Sequence, residues 1–264
     1  MSFSFASVIL SYFLIAGGTW GAILLAARFG INSEYLGYLI LAAGGFLGGM
    51  VAARASKGST ILEPAIGGGL LLVSLILVGV VASGQSASVM LVPEGMKAIG
   101  LTAGASAAGG IAGAFVAEKL FGHVEAGSGG WFLYTALTGF GVGVVGTILG
   151  AAFGGGSTAA MMGLLAVCSL FAGLAAGASA TRRILGVTFL GTAIGLFGFF
   201  FLAIYLFLAL FGTMAAERGG PTGVAAIPAE IYAGLAIIAG GAGIVALIGA
   251  AIGWGTWGKS GAAK

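Results

Sequence analysis

The side chains best suited to acid–base or metal chemistry lie together in one predicted loop, EKLFGHVEAG. It contains His123, the only histidine in the chain, together with Glu118, Lys119 and Glu125. An imidazole flanked by carboxylates could sense pH or bind a metal ion. A solvated loop at a membrane surface contains the same residue types without either activity. We favour this second interpretation, so the sequence predicts no metal site, no cofactor and no catalytic residue.

Three other reactive residue types have simpler explanations. Glu63 follows Thr60 in TILE and precedes proline, which is the pattern of a capping box at a helix start. Cys168 is the only cysteine and lies in an apolar run, so it predicts packing rather than a disulfide or a metal site. The pair Arg182 and Arg183 is typical of an anchor to lipid headgroups.

Glycine-rich nucleotide fingerprints also occur in the chain. GVGVVG at 141–146 and GWGTWG at 253–258 both match the G-x-G-x-x-G pattern. That pattern binds a pyrophosphate only between a strand and a helix, and neither copy follows a predicted strand. About two chance matches are expected at this glycine content, and the sequence has no metalloprotease, P-loop or nucleophile-elbow motif. We therefore expect that the protein is not an enzyme.

The composition indicates a membrane protein. The chain has 264 residues, of which 59% are hydrophobic and 6% are charged, and its mean hydropathy is +1.17. A soluble domain carries about a quarter charged residues. Collagen and disordered classes are excluded by the few prolines and the apolar content. The net charge of +3 is too small and too scattered for nucleic-acid binding.

The apolar runs are continuous over about twenty residues, which favours transmembrane helices over a β-barrel. We therefore predict an all-α integral membrane protein that forms a single polytopic domain over 1–264. The N-terminal sequence has no positively charged signal region, so the first run is interpreted as a retained span. The eight predicted spans are 5–28, 35–54, 61–83, 97–118, 131–153, 159–180, 184–212 and 229–254.

Loop charges predict the orientation of these spans. With eight spans both termini lie on one side, and that side carries seven Lys or Arg residues against three on the other. The positive-inside rule then places both termini in the cytoplasm. We expect a prokaryotic inner membrane as the location.

A glycine pattern recurs on the even-numbered spans. Each carries G-x-x-x-G followed by a basic residue six positions after the second glycine. The glycines are Gly44, Gly48, Gly109, Gly113, Gly173, Gly177, Gly249 and Gly253. The predicted cytoplasmic anchors are Arg54, Lys119, Arg183 and Lys259. The shared register predicts four helical hairpins at 5–56, 60–121, 130–184 and 185–260, all in the same orientation.

The even spans are richer in small residues than the odd ones, as the stretch TAGASAAGGIAGA at 102–114 shows. Small residues let helix backbones approach in lipid, where no hydrophobic force drives helices together. We therefore predict that the even spans lie inside the bundle and the odd spans face lipid.

Two functions fit these features. The first is a non-catalytic membrane subunit that acts in structure or assembly through small-residue packing against other membrane helices. The alternative is a passive channel or permease for a small neutral or weakly polar solute. The solute path of such a channel would be lined by Ser and Thr hydroxyls. These hydroxyls can also simply donate a hydrogen bond to the carbonyl oxygen one turn earlier in their own helix. The candidates are Thr102, Ser106, Thr135, Thr138, Thr147, Ser169, Ser179, Thr188 and Thr192. Whichever function applies, the expected partners are the lipid bilayer and other membrane helices, in a homo-oligomer or a membrane complex.

Overall fold

The computed structural model describes residues 5–28, 34–55, 62–82, 93–120, 129–155, 157–180, 185–216 and 228–258. Within these ranges the chain is helical almost throughout and contains no strand. The α-helices are α1 (Phe5–Arg28), α2 (Glu34–Ala55), α3 (Leu62–Ala82), α4 (Pro93–Leu120), α5 (Gly129–Phe153), α6 (Thr158–Ser179), α7 (Leu185–Ala216) and α8 (Ala229–Gly253). A single π-helical turn, Trp254–Gly258, continues α8.

The chain is a multi-pass membrane protein. Seven of its helices contain a described segment that is long and apolar enough to cross a bilayer, namely all except α3. Helix α3 coincides with the predicted span 61–83, but the side chains of its last eight residues lie outside the described part. The prediction of eight spans is therefore supported for seven and stays a prediction for the eighth.

Helix boundaries follow local sequence signals. Helix α4 begins at Pro93, four residues before the predicted start at 97, because proline suits the first turn of a helix. Between α5 and α6, Gly155 has a positive φ of 54°, which glycine adopts without strain. Ser157 then caps α6 by accepting a hydrogen bond from the amide of Ala160.

The helices form two groups of four with the same arrangement. In the first group α1 packs against α2 and α3, and α4 packs against the same two helices. In the second group α5 and α8 each pack against both α6 and α7 in the same way. The two groups meet mainly where α1 contacts α5 and α6. The contacts between α2 and α4 are the most extensive in the described chain.

The prediction that the even helices lie inside and the odd helices face lipid is wrong for α1 and α5. In these two helices 56% of the candidate span is buried, compared with 33–39% in α2, α4, α6 and α8, whereas the odd helix α7 is 33% buried, as the prediction expects. The two helices at the centre of the molecule are therefore odd-numbered. Their central stretches include small residues as well, such as Gly17 in α1 and Gly141 in α5.

The reason is that a glycine pair lines only one face of a helix. The opposite faces of the even helices carry large apolar residues that are about half exposed, such as Leu47, Phe115, Phe171 and Ile248. Each even helix thus joins its glycine face to one neighbour and presents the other face to the bilayer. The average side-chain size of a whole span does not show that one face packs against a neighbour and the other faces the bilayer.

Candidate functional site

The closest helix contact in the first group joins α2 to α4 through glycines from both sides. A Cβ atom on Gly109 would overlap the carbonyl oxygen of Ala42, and one on Gly113 would overlap that of Phe46. In return, Gly45 lies against the carbonyl oxygen of Ser106, and one turn later Gly49 lies against the carbonyl oxygen of Gly110. The two parallel backbones are therefore in direct contact, which small residues alone allow.

The predicted pair Gly44 and Gly48 belongs to a different interface. These glycines lie against the backbone carbonyls of Gly18 and Leu14 in α1. The residues that contact α4 are their neighbours Gly45 and Gly49, which the sequence interpretation missed. The doubled pattern GGFLGG at 44–49 was the available signal, because adjacent glycine pairs open two faces of a helix about 100° apart.

In the second group, α6 and α8 are joined by the predicted glycines. Gly173 and Gly177 lie against the carbonyl oxygens of Ala246 and Ala250. Gly249 and Gly253 lie in turn against the carbonyl oxygens of Leu170 and Leu174. This is the same reciprocal arrangement as in the pair formed by α2 and α4.

The two contacts correspond residue by residue. In both contacts, each glycine faces the carbonyl oxygen of a residue on the other helix. That residue lies three positions before a contact glycine of its own helix, as Ser106 lies before Gly109 and Ala246 before Gly249. The positions in α6 follow those in α2 by 128 residues, as Gly173 follows Gly45. The positions in α8 follow those in α4 by 140 residues.

The crossing of α1 and α5 shows a third correspondence, at an offset of 124 residues. The Cβ position of Gly17 is 3.1 Å from the Cα atom of Gly141, the residue 124 positions later. Gly17 also faces the carbonyl oxygen of Leu137, at 3.5 Å, while Gly141 lies against that of Phe13. Leu137 is again 124 positions after Phe13, so equivalent residues meet one another at this crossing.

The outer neighbours of these central helices match as well. Gly67 of α3 packs against Ser11 and the amide of Tyr12 in α1, each 2.8 Å from its Cβ position. Gly191 of α7 packs against Thr135 and the amide of Ala136 in α5. All three residues of the second contact lie 124 positions after those of the first.

Two of the four predicted cationic anchors lie in the described residues, and they differ in burial. Lys119 is exposed at the end of α4, and its ammonium nitrogen lies 5.8 Å from the centre of the Phe115 ring. Arg54 is half-buried at the end of α2. Arg183, Lys259 and His123 lie outside the described residues.

Carboxylates are scarce in the described helices. Glu63 lies in the first turn of α3 and is completely buried. Thr60, its predicted capping partner, lies outside the described residues. Within the described part of the chain, no three His, Cys, Asp or Glu residues come together as a metal site would require.

Four of the nine candidate hydroxyls bond within their own helices. Ser106, Thr135, Thr138 and Ser169 each donate to the carbonyl oxygen four residues earlier, at 2.8–3.2 Å. Such a bond satisfies the donor locally. Thr102 and Thr147 are half-buried, and Thr192 is buried. Ser179 and Thr188 are buried with no hydrogen-bond partner among the described residues.

One apolar groove opens between α6 and α8 beyond the glycine contact. Its volume is about 260 Å³, and Gly241 forms part of its wall with no atom within 4 Å of its Cβ position. The remaining lining residues are Met162, Leu165, Ala166, Ile238, Ala242 and Val245.

No protein-family model matches the chain, and no curated protein or solved structure matches it either.

Proposed function

We propose that the protein is a non-catalytic membrane subunit that acts in structure or assembly by packing against other membrane helices. The observation that carries the proposal is the direct backbone contact at the glycine pairs of α2 with α4 and of α6 with α8. In lipid, such contacts replace the hydrophobic effect as the source of association. A bundle held in this way offers a rigid platform to a partner.

The proposal includes an internal repeat. We infer that α1–α4 and α5–α8 are two copies of one four-helix unit in the same orientation, related by a two-fold axis along the membrane normal. Three independent offsets support it, because glycine contacts recur at 124 residues for the odd helices and at 128 and 140 residues for the even ones. Each unit contains two of the four predicted hairpins.

The proposed axis bears on the choice between a subunit and a channel. Equivalent residues meet on a two-fold axis, and Gly17 meets Gly141 there with only 3.1 Å from its Cβ position to the facing Cα atom. No solute path fits between two backbones at that separation. This argues for the assembly role over a pore on the molecular axis.

The groove between α6 and α8 is the place where we expect a partner helix to bind. It is apolar, the exposed residues Met162 and Gly241 line it, and it provides about 260 Å³ for side chains of another helix. Gly241 in its wall leaves room for close approach of a foreign backbone. The partner is then a membrane helix with one or two large apolar side chains on the facing surface.

Purification of tagged protein in a mild detergent tests this function. We expect a partner protein to copurify with the wild type and to be lost from Gly241→Trp, since the indole would fill the groove. The matched control is Gly104→Trp, because Gly104 is also exposed with nothing within 4 Å of its Cβ position. The control should keep the partner.

Two results would contradict the assembly role. One is a homogeneous homo-oligomer with no partner protein from the native membrane. The other is solute permeation by the purified protein in liposomes, measured by swelling in a small neutral solute. Together they would establish the channel or permease alternative.

A further inference from the structure

Three buried hydroxyls at one end of the second four-helix unit have no hydrogen-bond partner among the described residues. They belong to Tyr134, Ser179 and Thr188, whose exposed fractions are 1%, 4% and 1%. An unpaired buried hydroxyl has lost its hydrogen bonds to water without replacement, so native proteins satisfy nearly all such groups. Three in one region indicate a missing partner.

The three residues lie at the same depth in the bundle. Helices α5 and α6 are antiparallel, with Gly146 facing Leu165 and Gly150 facing Met161, which places Tyr134 level with Gly177. Ser179 is two residues further on, or about 3 Å along the helix axis. Helices α5 and α7 are parallel with Gly191 facing Thr135, so Thr188 is also within one turn of Tyr134.

Packing brings the same three segments together. Tyr134 and Ala180, the neighbour of Ser179, belong to one buried cluster, and Val187, the neighbour of Thr188, packs against it. The hydroxyl of Thr135 also bonds to the carbonyl oxygen of Val187 at 3.2 Å, which ties α5 to α7 at this level.

The hydroxyls are not needed to build the unit. At the repeat offsets given above, the equivalents of Tyr134, Ser179 and Thr188 in the first unit are Leu10, Val51 and Pro64. All three are apolar, so the same packing position accepts side chains without any polar group. The equivalence with residues of the first unit depends on the internal repeat in the proposed function. The burial of the three hydroxyls, and their lack of a partner among the described residues, do not depend on it.

We propose that these three hydroxyls form a binding site for a small neutral molecule that donates and accepts hydrogen bonds, water being the smallest. A hydroxyl both donates and accepts, so three of them can satisfy a guest of this kind without any charge. A buried water typically makes about three such bonds. All three hydroxyls belong to the second unit, but the buried cluster around Tyr134 also includes Leu10 and Leu14 of α1. The site is separate from the groove at Gly241.

The direction of stability changes tests the site. We expect Tyr134→Phe, Ser179→Ala and Thr188→Val each to lower the melting temperature of the purified protein by roughly 2–4 °C. The double variant Tyr134→Phe with Thr188→Val should lose less than the sum, because both hydroxyls contact one guest. Native mass spectrometry identifies the guest: extra mass absent from the triple variant indicates an organic molecule, and equal bound mass indicates water.

Changes in melting temperature in the opposite direction would contradict the proposed binding site. If the hydroxyls are unpaired, their removal raises the melting temperature or leaves it unchanged, and additive losses would show that no guest is shared. Thr138→Val is the matched control, since that hydroxyl donates to the carbonyl oxygen of Tyr134 at 2.9 Å and its loss should add to each of the others. If the hydroxyl site does not exist, partner copurification is unaffected. A negative result for the site is therefore distinguishable from a negative result for the proposed function.

Discussion

Gly104 and Gly113 lie on the same helix, nine residues apart, but their surroundings differ. Gly113 has the carbonyl oxygen of Phe46 where its Cβ atom would be, whereas Gly104 has nothing within 4 Å. A glycine in these helices is therefore a packing residue only where a neighbouring helix lies against it, through its backbone as at Gly113 or through a side chain as Phe199 does at Gly143. At other positions it is open surface.

This contrast predicts the effect of adding a large side chain. Gly113→Leu should push α2 away and destabilise the protein by about 1–3 kcal/mol or more, as overpacking does. Gly104→Leu should leave stability unchanged, since its side chain enters open space. Thermal unfolding followed by tryptophan fluorescence measures both. Equal losses in the two variants would contradict the packing interpretation.

The cations at the helix ends differ in the same way. Lys119 is exposed and its long side chain can reach the headgroup layer, so Lys119→Gln should barely change the melting temperature. Arg54 is half-buried, and its Nε atom has no contact with solvent. Arg54→Gln should therefore cost more stability than Lys119→Gln in the same unfolding assay. A larger loss for Lys119→Gln would indicate a binding role for the loop that follows α4.

At the scale of elements, α2 with α4 and α6 with α8 form the same contact twice. Each pair is parallel, each uses two glycines per helix, and each glycine faces a carbonyl at the same relative position. Parallel helices joined at G-x-x-x-G pairs approach closely because no side chain separates them. The pair of α2 with α4 is the closest contact of the first unit, whereas in the second unit α5 and α7 approach as closely, with Gly195 against the carbonyl oxygen of Ala136.

The proposed repeat predicts matched responses at equivalent positions. Gly45→Leu and Gly173→Leu should lower the melting temperature by similar amounts, because each would displace the neighbouring even helix by the same distance. Gly69→Leu is a suitable control, since nothing lies within 4 Å of the Cβ position of Gly69. A strong effect at one position with none at the other would show that the two units are not equivalent in energy.

At the scale of the whole molecule, the two units meet through their first helices. Helices α1 and α5 are the most buried candidate spans, and they cross at Gly17 and Gly141. A protein that holds its centre together with backbone contacts leaves its exposed side chains free for lipid and for partner helices. This arrangement suits a subunit that is built into a larger membrane assembly.

Topology is testable on the full chain. In a Cys168→Ala background, cysteines at Ser2 and Ala262 should both resist an impermeant thiol reagent in intact cells and react after permeabilisation. The expectation follows from the seven-to-three bias of basic residues between the two sides. Labelling of either cysteine in intact cells would overturn the predicted orientation.

The sequence by itself determined the class of protein and the positions of its helices. Helix formation in a bilayer is a local requirement, because every backbone group must be satisfied within its own segment. Runs of about twenty apolar residues, with the capping pattern before Pro64, were therefore enough to place the helices to within a few residues. The glycine pairs of α4, α6 and α8 could be found in the same way.

Only the tertiary structure decided which helices are central and which face of each glycine helix is used. In water, a polar stripe shows which face of a helix is exposed, but a membrane helix is apolar all round and shows no such stripe. The choice of Gly45 rather than Gly44 to contact α4, and the burial of α1 and α5, depend on how neighbouring backbones fit together. That fit is a property of pairs of helices, which a pattern along a single segment does not contain.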